Sequence, residues 1–181
     1  MDQNKALRLK IYFDNDTNVE RVIDIDLTAT LEDLHLTILA AFELTAGEIA
    51  AFWLCNENWQ REQEIPMIRM MDEENDEESA CMSDVEVVAA INMSRPNLIY
   101  EYDMLLMWVL KVEYIEQIDK IASMEYPVLV SEQGKAANPD QARGQLLLDN
   151  NPESIANDLL KESGDLDDYG SDDLDSEYDD Y

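Results

Sequence analysis

The stretch Leu98-Ile-Tyr-Glu-Tyr-Asp-Met-Leu-Leu-Met-Trp-Val-Leu-Lys-Val-Glu-Tyr-Ile115 contains the most distinctive aromatic and acidic positions of the chain. Its β-branched and aromatic residues predict two strands joined by a tight connection. Asp103 leads into this connection, and Trp108 leads out of it. The centre of the connection, Met104 to Met107, is apolar, so we expect a strand pair that is held together by packing.

A strand pair and a helix are also predicted near the start of the chain. Apolar residues alternate with polar ones from Leu7 to Phe13 and again from Ile23 to Leu27, and the turn-forming residues 14–18 separate the two runs. Thr30 then offers a helix cap, and the residues that follow it place their apolar side chains on one helical face. A hairpin followed by a covering helix is similar to the start of a β-grasp fold.

The next segments complete the prediction of an α+β fold with a mixed β-sheet. A third strand is expected at Ala51–Cys55, followed by a ragged edge strand that ends near Pro66. The acidic run 72–78 is typical of a solvated loop. Ser83-Asp-Val-Glu86 has the spacing of a capping box and predicts a second short helix, which precedes the late strand pair.

The C-terminal part of the chain is predicted to lie outside the main domain. We expect an α+β domain over residues 5–150, a short helix over residues 151–161 and an acidic tail over residues 162–181. Asn151 can cap that helix, and a proline occupies its first turn. The tail combines many acids with few apolar residues, so it cannot offset the entropy of folding and is predicted to be disordered.

The charge of the chain restricts the partners that it can bind. Its 181 residues include 12 Lys and Arg against 42 Asp and Glu, which gives 12 − 42 = −30. Such a field repels phosphate backbones and anionic membranes, so we expect no direct binding to nucleic acid or membrane, whereas basic proteins are attracted. Cys55 and Cys81 are far apart, the N-terminus lacks the apolar core of a signal peptide, and no apolar run could span a bilayer. A cytoplasmic protein is therefore predicted.

Several aromatic, acidic and histidine positions occur in an order that is typical of one family. They are Thr30-Leu-x-x-Leu-His35, Ala41-Phe42, Phe52, Tyr100-x-Tyr-Asp103, Trp108 and Val112-Glu113. This order, together with Tyr126-Pro127 and the loop to Pro139, resembles the plasmid pRiA4b ORF-3-like family over roughly residues 5–150. The resemblance implies a small α+β protein that is carried by plasmids or insertion elements and has no established activity. The chain departs from the family at Met104–Met107, where a Gly-Asp turn is usual, and at about Glu48, where a histidine is usual.

His35 is the only histidine of the chain and could serve as a base, a switch or a metal ligand. Each of these roles requires partner groups, and zinc and iron sites usually draw on several His or Cys ligands. We therefore interpret His35 as a packed or half-exposed helix residue. We predict no catalytic residue, no cofactor and no metal site.

Asp103 and the aromatic stripe around it are the other candidates for a site. A carboxylate beside an aromatic wall such as Trp108 can act as an acid, but an aspartate at a strand end more often caps a turn. Tyr100, Tyr102 and Trp108 could line a pocket, but at alternating strand positions we interpret them as core residues.

The sequence favours a non-enzymatic accessory protein that binds a basic protein partner through its acidic surface and tail. The structured contact is expected around Trp53, Trp59 or the turn at Asp103. One alternative is an acidic mimic of nucleic acid, which would need carboxylates on a rigid face. A second alternative is a hydrolase or metal enzyme, which would need Asp103, Glu113 and His35 to converge in one cleft. The oligomeric state is left open.

Overall fold

The described strands form one antiparallel sheet with helices packed on one face. The computed structural model describes residues 4–15, 18–69, 79–103 and 108–135, all within the first of the two units, 1–139 and 140–181, into which the chain divides. The elements are β1 (Lys5–Phe13), β2 (Glu20–Asp26), α1 (Leu31–Ala41), β3 (Ala50–Cys55), β4 (Arg61–Pro66), α2 (Val87–Ala90), β5 (Asn97–Tyr102), β6 (Trp108–Asp119) and β7 (Val128–Gln133). The strand order across the sheet is β4-β3-β5-β6-β1-β2-β7.

The predicted hairpin is confirmed, and its register explains why the sheet has two different faces. Leu9 lies opposite Ile23 in the β1–β2 pair, so the apolar positions of both strands fall on the same side. This side is the covered face. The intervening positions, such as Lys10 and Tyr12, point to the opposite side, which is the open face. The strand β1 also pairs with β6, so the hairpin lies inside the sheet and not at its edge.

Helix α1 begins at the predicted residue and packs on the covered face. The Thr30 hydroxyl accepts a hydrogen bond from the Asp33 amide at 3.2 Å, and the Asp33 carboxylate accepts one from the Thr30 amide at 2.8 Å. These two bonds form a capping box. Leu31, Leu34 and Ile38 are fully buried, and burial of each such side chain contributes about 1.5–3 kcal/mol.

A buried arginine completes the other end of α1. The side chain of Arg21 reaches from β2 on the covered face, where its Nε donates to the Ala41 carbonyl at 2.8 Å. Its Nη1 donates to the carbonyls of Glu20 and Gln133, both at 2.8 Å. The guanidinium also lies 5.0 Å from the centre of the Phe42 ring. A positive charge at this end is favourable because the C-terminal carbonyls of a helix carry partial negative charge.

Two details of the predicted fold differ from the structure. We expected a mixed sheet, but every pairing between the described strands is antiparallel. The seven strands also outweigh the helices, so the described part of the protein is mainly β. The predicted capping box at Ser83 and Glu86 is not formed. Instead, the Asp84 carboxylate accepts from the Cys81 amide at 3.0 Å, and α2 is a single turn that follows Glu86.

The late strand pair is confirmed, with Tyr102 of β5 opposite Trp108 of β6. Its connection at residues 104–107 lies outside the described residues. The predicted loop at 72–78, the helix at 151–161 and the tail at 162–181 also lie outside them. Within the ranges that the structure describes, no helix is both long enough and apolar enough to cross a membrane.

Candidate interaction surface

The residues singled out in the sequence are divided between the two faces of the sheet. The covered face holds His35, Tyr100, Tyr102 and Trp108, the open face holds Trp53, Trp59 and Glu113, and Asp103 follows the end of β5.

His35 is buried between α1 and the sheet, where it contacts Tyr100. A hydrogen bond of 2.7 Å joins the His35 Nδ1 to the Tyr100 hydroxyl. Burial lowers the pKa of His35, against the opposing effect of the Glu32 charge. Burial also raises the pKa of Tyr100, so its hydroxyl stays protonated. The pair satisfies two polar groups inside the core, which is a structural role.

The end of β5 is held by hydrogen bonds to the segment that precedes β3. The Tyr102 hydroxyl donates to the Thr45 carbonyl at 2.6 Å. Asp103 is buried and adopts a left-handed backbone conformation with φ of 59°, and its amide donates to the Ile49 carbonyl at 3.1 Å. Asparagine and aspartate tolerate this conformation better than most residues. The left-handed conformation of Asp103 therefore marks the end of the extended strand β5.

Glu113 lies on the open face, away from His35. Its carboxylate accepts a hydrogen bond of 2.7 Å from the Tyr12 hydroxyl. Burial of Tyr12 and this bond both raise the pKa of that hydroxyl. Because the sheet separates Glu113 from His35, the three residues of the enzyme alternative do not converge. Among the described residues, no group of three or more His, Cys, Asp or Glu side chains is arranged to hold a metal ion.

The first cluster on the open face joins β3, β4 and β5. The Trp53 indole donates to the Glu101 carboxylate at 2.8 Å, and the other oxygen of that carboxylate accepts from Arg61. The Arg61 guanidinium also lies 5.0 Å from the centre of the Trp53 ring. Such a cation–π contact contributes about 0.5–1 kcal/mol at an exposed site. The cluster is therefore a preorganised surface with its polar groups already paired.

The second cluster lies beside it and includes the other tryptophan of this face. The Lys111 ammonium lies 4.9 Å from the centre of the Trp59 ring and 2.6 Å from the Asp14 carboxylate. Trp59 has a φ of 63° in the turn between β3 and β4. Asn97 fixes this turn by donating to the carbonyls of residues 56 and 57 at 3.2 and 3.1 Å.

A cavity of about 350 Å³ opens next to the first cluster, at the end of β3, β4 and β5. Its lining is mainly apolar, but Glu64, Glu101 and Asp103 also line it. Two of the apolar lining residues, Ile49 and Ile68, are largely exposed to solvent. Its volume lies within the range of small-ligand sites, about 300–1,000 Å³. We call it the strand-end cavity, lined by Ile49, Ala50, Ala51, Glu64, Pro66, Met67, Ile68, Glu101, Tyr102, Asp103 and Val109.

Comparison with known proteins assigns the chain to a family. The sequence model described as plasmid pRiA4b ORF-3-like protein matches residues 5–179, nearly the whole chain. The chain belongs to this family. The match extends beyond the roughly 150 residues over which the resemblance was drawn. Comparison with the curated proteins gives no match.

Among solved structures, this pRiA4b ORF-3-like chain is similar to a protein of unknown function from Methanosarcina mazei Go1. The TM-score is 0.64 at 20% sequence identity, and the match covers 97% of this chain and 94% of the other. At this level of identity the likeness concerns the fold alone.

The two tryptophans of the open face were predictable from the sequence, but most of their partners were not. Glu101 and Lys111 could have been placed together, because alternation puts both on one face of the late strand pair. No comparable alternation places Arg61, Met67 or Ile68 beside these residues. Their place beside Glu101 depends on how β3 pairs with both β4 and β5, which no local pattern specifies.

Proposed function

We propose that this pRiA4b ORF-3-like protein is a non-enzymatic interaction module that binds a basic segment of a partner protein. The observation that carries the proposal is the strand-end cavity, an apolar site lined by Glu64, Glu101 and Asp103 in a chain of net charge −30. Apolar lining supplies burial, while carboxylates favour a cationic partner and steer its approach. We also propose a cytoplasmic location and an accessory role of the plasmid or mobile-element type.

The positions of the candidate catalytic groups argue against the enzyme alternative. His35 is buried and bonded to Tyr100, whereas Glu113 accepts from Tyr12 on the opposite face of the sheet. A general acid or base must lie within hydrogen-bond reach of a common substrate atom. These groups cannot meet that requirement together.

The open face also gives little support to the nucleic-acid mimic. A mimic needs a rigid array of unneutralised carboxylates, but several of the acids of this face are paired with basic side chains. Their ion pairs include Arg8 with Asp24, Lys10 with Glu20, Lys111 with Asp14 and Arg61 with Glu101.

Binding to immobilised peptides of equal length tests the proposed function. We expect basic peptides that contain an apolar residue to be retained, and acidic or neutral peptides to be lost. Retention should fall as ionic strength rises from about 0.05 M to about 0.5 M, because salt screens the attraction. Equal retention of basic and acidic peptides would rule the proposal out.

A charge reversal distinguishes binding at the strand-end cavity from general electrostatic attraction of basic peptides to the acidic chain. Glu64→Lys and Glu125→Lys change the net charge equally at two exposed positions, but only Glu64 lines the cavity. We expect Glu64→Lys to weaken retention of basic peptides and Glu125→Lys to leave most of it. A version that ends at Lys161 should keep this difference. Loss of all binding on removal of residues 162–181 would assign recognition to the tail alone.

A further inference from the structure

One edge of the described sheet combines a terminal strand with the strand-end cavity. Within the described ranges, β4 is the terminal strand of the sheet and pairs only with β3. An edge strand presents backbone donors and acceptors that can pair with another extended chain. Pro66 is the last residue of β4, and it cannot donate a backbone hydrogen bond because proline lacks the amide hydrogen. An added strand would therefore pair with the residues of β4 that precede it.

The cavity lies on the open face of the sheet, where two acidic side chains line it. Glu64 of β4 and Glu101 of β5 both belong to the open face and both line the cavity. Ile68 follows β4 and is 61% exposed at the same site. An exposed apolar wall beside carboxylates is complementary to a ligand that carries apolar and cationic side chains close together.

We propose that an extended, basic segment of a partner protein adds to the sheet along β4 and inserts one apolar side chain into the strand-end cavity. This inference rests on the proposed function and specifies the binding mode. Alternate residues of an added strand point to the same face and lie about 7 Å apart. A lysine or arginine two residues from the inserted side chain is therefore expected to lie near Glu64 of β4. The segment has the pattern basic-x-apolar-x-basic.

Fluorescence anisotropy with the full-length protein tests this mode. The probe is the labelled peptide Lys-Thr-Leu-Thr-Lys-Thr, in which the lysines and the leucine share one face. We expect binding to weaken at least about tenfold when the leucine becomes serine or when alternate backbone amides are N-methylated. N-methylation keeps charge and side chains, so its effect arises from the peptide backbone.

Matched variants of the protein locate the site. Ile68→Ser removes an exposed apolar side chain from the cavity, and Ile121→Ser removes one of similar exposure, 57%, beyond β6. We expect a loss of at least about tenfold in peptide affinity for Ile68→Ser and less than about twofold for Ile121→Ser. Because both side chains are exposed, neither variant should unfold the protein. Ala51→Leu fills the cavity from β3 and should reproduce the loss, whereas Ala89→Leu on the exposed side of α2 should not.

Four outcomes overturn the inference. Equal affinity of Ile68→Ser and Ile121→Ser, with salt-sensitive basic binding retained, leaves the proposed function standing and rejects this site. Full binding of the N-methylated peptide rejects strand addition. If the protein dimerises in a concentration-dependent way and Ile68→Ser abolishes the dimer, the edge binds a second copy of the chain instead. Failure of every basic peptide to bind rejects the proposed function itself.

Discussion

The two faces of the sheet are stabilised by different interactions. On the covered face, fully buried side chains such as Leu9, Ile23 and Leu34 pack together, and the polar groups among them, Arg21 and His35, have hydrogen-bond partners. On the open face, side chains are linked by cross-strand ion pairs and cation–π contacts, which remain accessible to salt and water. We therefore expect substitutions on the covered face to cost more stability than substitutions on the open face.

The largest expected difference between the faces comes from two neighbouring residues of β2. Ile23→Ala removes a fully buried side chain of the covered face, and we expect it to lower the free energy of unfolding by about 2–5 kcal/mol. Val22→Ala alters the half-buried position beside it on the open face, and we expect a loss of about 1 kcal/mol or less. Urea unfolding followed by circular dichroism measures both. Equal losses would remove the distinction between the faces.

A smaller difference in the free energy of unfolding is expected between substitutions of two basic residues, one on each face. Arg21→Met deprives the carbonyls of Ala41 and Gln133 of a buried donor, which should cost about 1–3 kcal/mol. Lys10→Met breaks a partly exposed pair with Glu20 on the open face, which should cost about 1 kcal/mol or less. Unfolding at low and high salt provides the control, because only the Lys10 contribution should shrink on addition of salt. A salt-sensitive loss for Arg21→Met would contradict its burial.

The smallest expected effect is the pH dependence that His35 adds to the covered face. Its pKa in the folded protein is lowered by burial, so the unfolded chain binds the proton more readily. Its contribution is therefore complete above about pH 6.5 and is lost as the pH falls through the lowered value. We expect the stability of the wild type to decline more steeply below about pH 6.5 than that of His35→Gln.

Denaturant unfolding across this range provides the measurement. Subtraction of the two curves removes the contributions of the carboxylates, which both proteins share. Parallel curves would show that His35 does not lose its proton on folding. A steeper decline for the variant would reverse the sign of the pKa shift.

Much of the local structure could be predicted because short-range rules determine it. The alternation from Leu7 to Phe13 identified a strand and its buried side, and Thr30 identified the start of α1 together with its inward face. The second helix was predicted less accurately. Its predicted cap at Ser83 competed with Asp84, which bonds the Cys81 amide, and the rest of the segment is only a single helical turn.

The candidate site was predictable only in part. Trp53 and Trp59 were predicted to lie at a structured contact, and the structure places both, half-buried, at the open face. The strand-end cavity was not foreseen, because its walls come from segments that are distant in sequence, including Ile49, Ile68 and Val109. The convergence of Asp103, Glu113 and His35 that the enzyme alternative requires is not found, because His35 packs against the covered face and Glu113 lies on the open face.

The sequence by itself determined the strands, the cap of α1, the family and the acidic character of the chain, since each depends on neighbouring residues or on composition. The stretch from Leu98 to Ile115 was read correctly as a strand pair for the same reason. Only the tertiary structure decided that β6 lies beside β1, that Arg21 completes α1 and that β4 ends beside an apolar cavity. These features arise from long-range strand pairing, whose register depends on the burial of the whole covered face and not on any single segment.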